Sequence, residues 1–227
     1  MTTPVLMAWS GGKDCMMALE RLRQAGDWNV VGLLTTVTKN FDRVAMHGIR
    51  RTLLEAQATQ LDLPLMTAQI EWPSSNDAYE QAHAQALGDA AARWPGLCHC
   101  AYGDLYLADV RAYREKQLSR AGWKGVFPLW QEDTAALARR FIDAGHRATL
   151  VCVDTTQLDA TFCGRAYTAQ LLEDLPGSVD ACGENGEFHT LVHAGPALHG
   201  DLPIRRGESL LRDGRFQYTD LLLDDAG

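Results

Sequence analysis

The feature that most constrains this chain is the junction between Pro4-Val5-Leu6-Met7-Ala8-Trp9 and Ser10-Gly11-Gly12-Lys13-Asp14-Cys15. The first run is apolar without alternation, the pattern of a strand buried on both faces. The two glycines permit a turn with positive φ. Cys15, Ala18, Leu19, Leu22 and Ala25 then recur at the spacing of one apolar helix face, and Gly26 stands where a helix would end. Val30 to Val37 supplies a second apolar run. Strand, glycine turn, helix and strand make a βαβ crossover, which commits the chain to a parallel sheet covered by helices.

The alternation continues. The spacing predicts a helix over 49–61, a strand over 65–70, and a loop at 72–76 with Ser75 or Asn76 as cap. A helix over 77–93, a short strand over 99–102 ending in Gly103-Asp104, a helix over 107–121 and a strand at Val126-Phe127 follow. This is the α/β pattern of a doubly wound, mainly parallel five-stranded sheet. After Pro128-Leu129-Trp130 the character changes: a helix over 133–144, a strand over 148–153, a helix over 167–175, a strand-like 188–192, and a tail of short strands around Asp213-Gly214, a hairpin signal. A smaller mixed α+β C-terminal lobe is expected, with 1–127 as the nucleotide domain and 128–227 as the acceptor-binding lobe.

Bulk properties narrow the function classes. The net charge of -8 over 227 residues argues against a broad nucleic-acid face, which would favour a basic surface. The apolar run near Met1 lacks a basic segment before it and is too short to span a bilayer, so a cytoplasmic protein without membrane contact is expected. The six cysteines have no framework spacing and read as thiols. Cys98-His99-Cys100, without a second pair, makes a poor zinc site.

The first loop carries chemistry. Triphosphate needs donors that approach closely, and two glycines before a helix let backbone N–H groups and the helix N-terminus converge on one anion. Ser10 adds a hydroxyl and Lys13 a point charge. Asp14 is out of place against an anion unless it holds Mg²⁺ or caps the helix amides. The spacing is not that of a Walker A loop. A second dense run, Asp180-Ala181-Cys182-Gly183-Glu184-Asn185-Gly186-Glu187-Phe188-His189-Thr190, gathers carboxylates, a histidine and a hydroxyl around two glycines. Glu184 and Glu187 could bind a cationic substrate, orient Mg²⁺ or act as a base, and His189 could move protons or hold an anion. The plain alternative is a solvated acidic turn.

Ser10 to Cys15 resembles the SGG-x-D-S pyrophosphate loop of the N-type ATP pyrophosphatases, the adenine nucleotide alpha-hydrolase superfamily, with Cys15 in place of the usual Ser. The second run resembles the GE-x-GEFHT signature of the diphthine–ammonia ligase family, the diphthamide synthase ATP-binding domain. Met46-His47, Leu54-Glu55-Ala56-Gln57-Ala58, Leu63-Pro64-Leu65, Gly103-Asp104, Pro128-Leu129-Trp130 and Gly164-Arg165 extend the similarity over nearly the whole chain, and its wording resembles a bacterial branch, for which an acceptor other than diphthine would be expected.

The resemblance implies a HUP-like, Rossmann-like fold and a ligase. ATP would adenylate an acceptor carboxylate with release of pyrophosphate, and ammonia would displace AMP to give the amide. Ser10, Gly11, Gly12, Lys13, Asp14 and Cys15 would hold the triphosphate, with Mg²⁺ on Asp14; Thr35 and Thr36 would lie near adenine and ribose, and Gly103 and Asp104 would close the nucleotide site. Glu184, Asn185, Gly186, Glu187, His189, Thr190 and His47 would face the acceptor, with Asp14, Glu184, Glu187 and His189 catalytic. The implied partners are ATP, ammonia and a carboxylate on a protein side chain or small molecule; a homodimer is compatible with the sequence. Competing readings are a superfamily member with another acceptor, such as one that modifies RNA, and a non-catalytic ATP or AMP binder.

Overall fold

A computed structural model describes residues 2–45 and 47–224; Met46, named above in the family resemblance, lies outside them. The first half folds as β1 (Thr3–Ala8), α1 (Lys13–Ala25), β2 (Trp28–Thr38), β3 (Arg43–Val44), α2 (Arg51–Gln60), β4 (Leu65–Ile70), α3 (Asn76–Arg93), β5 (His99–Ala101), α4 (Ala108–Arg120) and β6 (Lys124–Val126). Leu33 and Leu34 of β2 pair with β1 on one edge and with β4 on the other, and β5 joins β1 to β6. Five parallel strands therefore run β4-β2-β1-β5-β6, as the alternation predicts. The sixth strand, β3, was not expected: it pairs antiparallel with Val37 and Thr38, and two residues are too few to show a period.

The missing alternation in β1 has a direct cause. Val5 and Met7 enter one buried cluster, beneath α1 and α2, while Leu6 enters another with Leu87 and Ala90 of α3 and Leu118 of α4. Alternate residues face opposite sides, and both sides are covered. The chain order reverses between β1 and β5, where the strand ends leave a crevice. Gly103, just past β5, sits so close to the start of α1 that a Cβ there would lie 2.8 Å from the carbonyl carbon of Asp14 and 2.9 Å from the Cys15 nitrogen.

The second half builds α5 (Thr134–Asp143), β7 (Arg147–Asp154), α6 (Ala169–Asp174), β8 (Phe188–Ala194), β9 (Ile204–Arg212) and β10 (Phe216–Leu223). Its sheet is antiparallel in the order β8-β7-β10-β9. Caps follow the sequence: the side chains of Ser75, Asp133 and Thr168 accept from Ala78, Ala136 and Leu171 backbone N–H groups. Asp213 and Gly214 adopt positive φ in the β9–β10 turn, the hairpin that their identity signals. β9 is longer than the short tail strands expected, because it is mostly exposed and shows no apolar alternation. One buried cluster runs from Met7 and Leu19 through Leu54 to Phe141, Leu150 and Leu191, so the second sheet shares its core with α1 and α2.

Gly103→Ala is expected to lower the melting temperature, because its Cβ meets backbone that cannot rotate away; overpacking of this kind costs about 1–3 kcal/mol. Thermal unfolding checks this, and an unchanged midpoint would contradict the close approach.

Candidate functional site

The turn after β1 is held from outside itself. Gly11 has φ +83°, and a Cβ there would lie 2.5 Å from Leu54 Cδ2 and 2.9 Å from Gln57 Oε1. Its carbonyl accepts from Val192 N–H of β8 at 2.9 Å and from Gln57 Nε2 at 3.0 Å. Gln57 also donates to the Val192 carbonyl at 2.6 Å and accepts from Trp9 Nε1 at 2.9 Å, and it is fully buried. Gly12 is the N-cap of α1 and has no side chain to cap with. Thr190 of β8 supplies the missing acceptor, taking the Lys13 N–H on Oγ1 at 3.1 Å. Cys15 turns its thiol back on the Gly12 carbonyl at 3.1 Å, and burial pushes that thiol up.

This turn forms the floor of a cleft of about 400 Å³ at the β1/β5 crevice. Of the residues singled out in the sequence, Ser10, Gly12, Lys13, Asp14, Cys15, Thr35, Thr36, His47, Gly103, Asp104, Glu184, Gly186, His189 and Thr190 line it. Gly11 does not, because it faces Leu54 and Gln57. Thr35 Oγ1 is buried with no hydrogen-bond partner among the described residues, an unusual state for a hydroxyl on a cleft wall.

The charges are tightly coupled. Lys13 is 3% exposed; its ammonium donates to both carboxylate oxygens of Asp14, at 2.9 and 3.1 Å, and to the Cys182 carbonyl. Burial alone would lower it, but Asp14, with Cys182 and Glu184, holds it above its ordinary value. Burial lifts the Asp14 carboxyl despite Lys13. Glu184 accepts from the Leu105 and Tyr106 N–H groups at 2.8 and 3.3 Å. Burial, helped by the charges of Asp14 and Asp104, raises it to about 7 against those two hydrogen bonds. Asp104 is gripped by Arg114 at 2.5 and 3.1 Å.

His47 and His189 lie with ring centroids 4.2 Å apart and their planes tilted by 38°. Burial is the main influence that lowers both, so each is neutral near pH 7. His47 Nδ1 lies 3.2 Å from the Ala45 carbonyl, which only accepts, so Nδ1 carries the proton and Nε2 is left as an acceptor.

Two residues expected at the acceptor do not line the cleft. Glu187 is 1% exposed; its carboxylate takes the N–H groups of Asp180 and Asn185 and the Asn185 side-chain amide at 2.9–3.0 Å. It braces the turn that aims Glu184, together with Asp180, which accepts from the Cys182 and Glu184 N–H groups. Gly183 and Gly186 give that turn its positive φ angles. Asn185 is on the outer side, with Tyr106 donating to its oxygen at 3.1 Å.

Three contributors, Gln57, Tyr79 and His83, go unassigned in the sequence, and a fourth, Arg114, reads there only as one of several helix arginines that could contact phosphate but are more often solvated. Gln57 sits on the buried face of α2, where a lone glutamine among Leu53, Leu54 and Ala58 is the available signal. Arg114, Tyr79 and His83 line the far wall, and burial drives His83 down to about 4. They lie on helices whose amphipathic pattern is weak, so no spacing marks them. No group of three or more His, Cys, Asp or Glu is arranged to hold a metal among the described residues, and Cys98-His99-Cys100 is no exception. Likewise, no helix among them is long and apolar enough to cross a membrane.

Comparison with known families gives two matches in sequence order. A model described as the diphthamide synthase N-terminal domain matches residues 2–122, and one described as the diphthamide synthase C-terminal domain matches residues 133–215. No curated protein matches the chain.

Gln57→Leu removes the one acceptor that the Trp9 indole has among the described residues, and a donor to Gly11 and Val192. Leaving such groups buried and unpaired costs about 2–4 kcal/mol in total. The denaturation midpoint should fall accordingly; an unchanged midpoint would show that the loop does not depend on this side chain.

Proposed function

The chain belongs to the diphthamide synthase family, and on that premise we propose that it is an ATP-dependent carboxylate–ammonia ligase. The observation that carries the reading is that Ser10, Gly12, Lys13 and Asp14 line one cleft at the β1/β5 crevice together with Glu184. The family description points to the carboxylate of diphthine as acceptor; a different carboxylate on a protein or small molecule would use the same groups.

The residues fit a nucleotide. The turn lies at the N-terminus of a 13-residue helix, whose dipole favours an anion. The orphan Thr35 hydroxyl needs the partner that a nucleotide would bring. All three Lys13 N–H donors are engaged, two on Asp14 and one on the Cys182 carbonyl, so a phosphate oxygen would take one from Asp14 and free that carboxylate oxygen for Mg²⁺. Mg²⁺ is commonly held by one or two carboxylates plus phosphate, which suits Asp14 without a protein cage; when bound it would neutralise charge on the departing pyrophosphate.

An oxygen of the acceptor carboxylate attacks the α-phosphorus, the bond to the α–β bridging oxygen breaks, and pyrophosphate leaves. The nitrogen of ammonia attacks the acyl carbon, a nitrogen proton passes to Glu184, and the carbon–oxygen bond to AMP breaks. A carboxylate raised to about 7 is matched to that proton transfer. His189, neutral and beside Lys13, offers a hydrogen bond to the acceptor without adding charge.

With Mg-ATP, ammonium and candidate carboxylates, the expected nucleotide products are AMP and pyrophosphate; ADP with phosphate would contradict the reading. Glu184→Gln should lower kcat by about 10²–10⁴-fold. Since the base must be ionised, activity measured at a fixed concentration of free ammonia should rise as pH passes about 7 in the native enzyme, and the variant should lose that limb. The stability sign is opposite. The folded value lies above the ordinary 4.5, so the unliganded protein loses this group's contribution as pH rises towards and through 7. Glu184→Gln should therefore flatten the fall in melting temperature, and identical pH profiles would count against the assignment.

A further inference from the structure

One carboxylate of the second sheet closes a loop of the first. Asp220 of β10 accepts from Arg43 Nη1 at 2.8 Å, from Arg50 Nη2 at 2.6 Å and from Arg50 Nε with both oxygens at 3.1 Å. Its side chain is 14% exposed. Arg43 starts β3 and Arg50 precedes α2, and the two face each other in an isolated antiparallel bridge. The chain between them turns back on itself: Val44 N–H donates to the Ile49 carbonyl at 2.8 Å, and Gly48 N–H to the Val44 carbonyl at 3.1 Å. Arg43 Nη1 also donates to the Gly48 carbonyl at 2.7 Å. Val44, Ala45 and His47 of this turn line the nucleotide cleft.

Like charges placed directly opposite repel, so Arg43 and Arg50 would push the base of the turn apart without an anion between them. Asp220 supplies that anion, from a strand 170 residues further along the chain than Arg50. Burial would raise its carboxyl, but the hydrogen bonds from Arg43 and Arg50 hold it below its ordinary value. The β9–β10 register breaks between Thr219 and Leu221, at Asp220 itself. Such irregularities re-aim a side chain out of the ladder. Beside it, Gly48 has φ +70°, and a Cβ there would lie 2.7 Å from Tyr218 Cδ1. β10 thus holds the turn at its base through Asp220 and further along through the Tyr218 ring. The turn carries His47, with its Nδ1 on the Ala45 carbonyl, whereas the neighbouring His189 belongs to β8. The 4.2 Å between their ring centroids therefore depends on where β10 holds the turn.

We propose that Asp220 is a positioning residue of the nucleotide cleft: by closing the Arg43 and Arg50 ends of the turn it holds His47 against His189. The placement of the two rings stands on the structure alone; its effect on turnover rests on the ligase reading.

The test compares the full native chain with Asp220→Asn, Arg50→Met and Asp220→Glu, each labelled with ¹⁵N-histidine, by NMR of the imidazole nitrogens near neutral pH without nucleotide. The native protein should show His47 with its proton fixed on Nδ1. Asp220→Asn should move the His47 nitrogens towards a mixture of tautomers and displace those of His189, while those of His99 on β5 stay in place. Arg50→Met, at a partly exposed position, removes three of the four hydrogen bonds on Asp220 and should act in the same direction, so the proposal stays testable if Asp220→Asn does not fold. Asp220→Glu keeps the anion and should return the native pattern; signals as displaced as in Asp220→Asn would overturn the charge argument. Unchanged His47 and His189 signals, even with a lower melting temperature, or equal movement of His99, would overturn the proposal by reducing Asp220 to a contributor to general stability. In the assay for AMP, kcat of Asp220→Asn and Arg50→Met should fall about tenfold or more, since misplacement by about 1 Å can cost about 10²-fold, and should recover in Asp220→Glu. A native kcat with displaced histidines would overturn the positioning role. A native protein that forms no AMP would count against the ligase reading, and the imidazole spectra would still decide the placement.

Discussion

The Gly11 carbonyl is the point on which the site depends. It takes the Val192 N–H from the second sheet and the Gln57 amide from α2, and Gln57 in turn holds the Trp9 indole at the end of β1. A Ser-Gly-Gly turn has little stiffness of its own, since glycine loses more backbone freedom on ordering than any other residue. Here the stiffness is supplied by buried partners, each of which would be costly to leave unpaired. The helix behind the turn likewise has no cap of its own and uses Thr190. The Ser10–Asp14 turn of the first half of the chain is therefore held by β8 of the second half, which also carries His189 into the cleft.

The same union sets the electrostatics. Lys13 is wedged against Asp14 and a carbonyl of the second lobe, and the Glu184 turn approaches over Leu105 and Tyr106. Burial, with Asp14 and Asp104 nearby, raises Glu184 to about 7, while burial keeps the two neighbouring histidines uncharged. The result is one cleft with a carboxylate raised to about 7 and a fixed cation beneath it. Glu187 contributes at one remove, by organising the turn rather than by facing the cleft.

Much of this was legible in the residues. Unbroken apolar runs announced strands covered on both faces, and the glycines at 11, 26 and 214 marked turns that do adopt positive φ. The doubly wound order followed from the alternation of elements. What escaped had physical causes. β3 is two residues long, and β9 is an exposed edge whose side chains show no period. The Glu184 and Glu187 pair look alike in sequence, and only the direction of the Gly183–Gly186 turn tells the brace from the cleft residue. Gln57 and Arg114 are helix residues whose partners lie far along the chain or beyond a turn, so no local pattern reveals them.

The central claim is that the two halves form one nucleotide site, with the α-phosphate turned towards the second lobe. A crystal structure with Mg²⁺ and α,β-methylene ATP, which resists cleavage at the relevant bond, tests it most directly. The account predicts the terminal phosphates on Gly12 and Lys13, the Thr35 hydroxyl in contact with the nucleoside, and the α-phosphate facing Glu184 and His189. A nucleotide bound away from the Ser10–Asp14 turn, or with its α-phosphate directed away from Glu184, would contradict it.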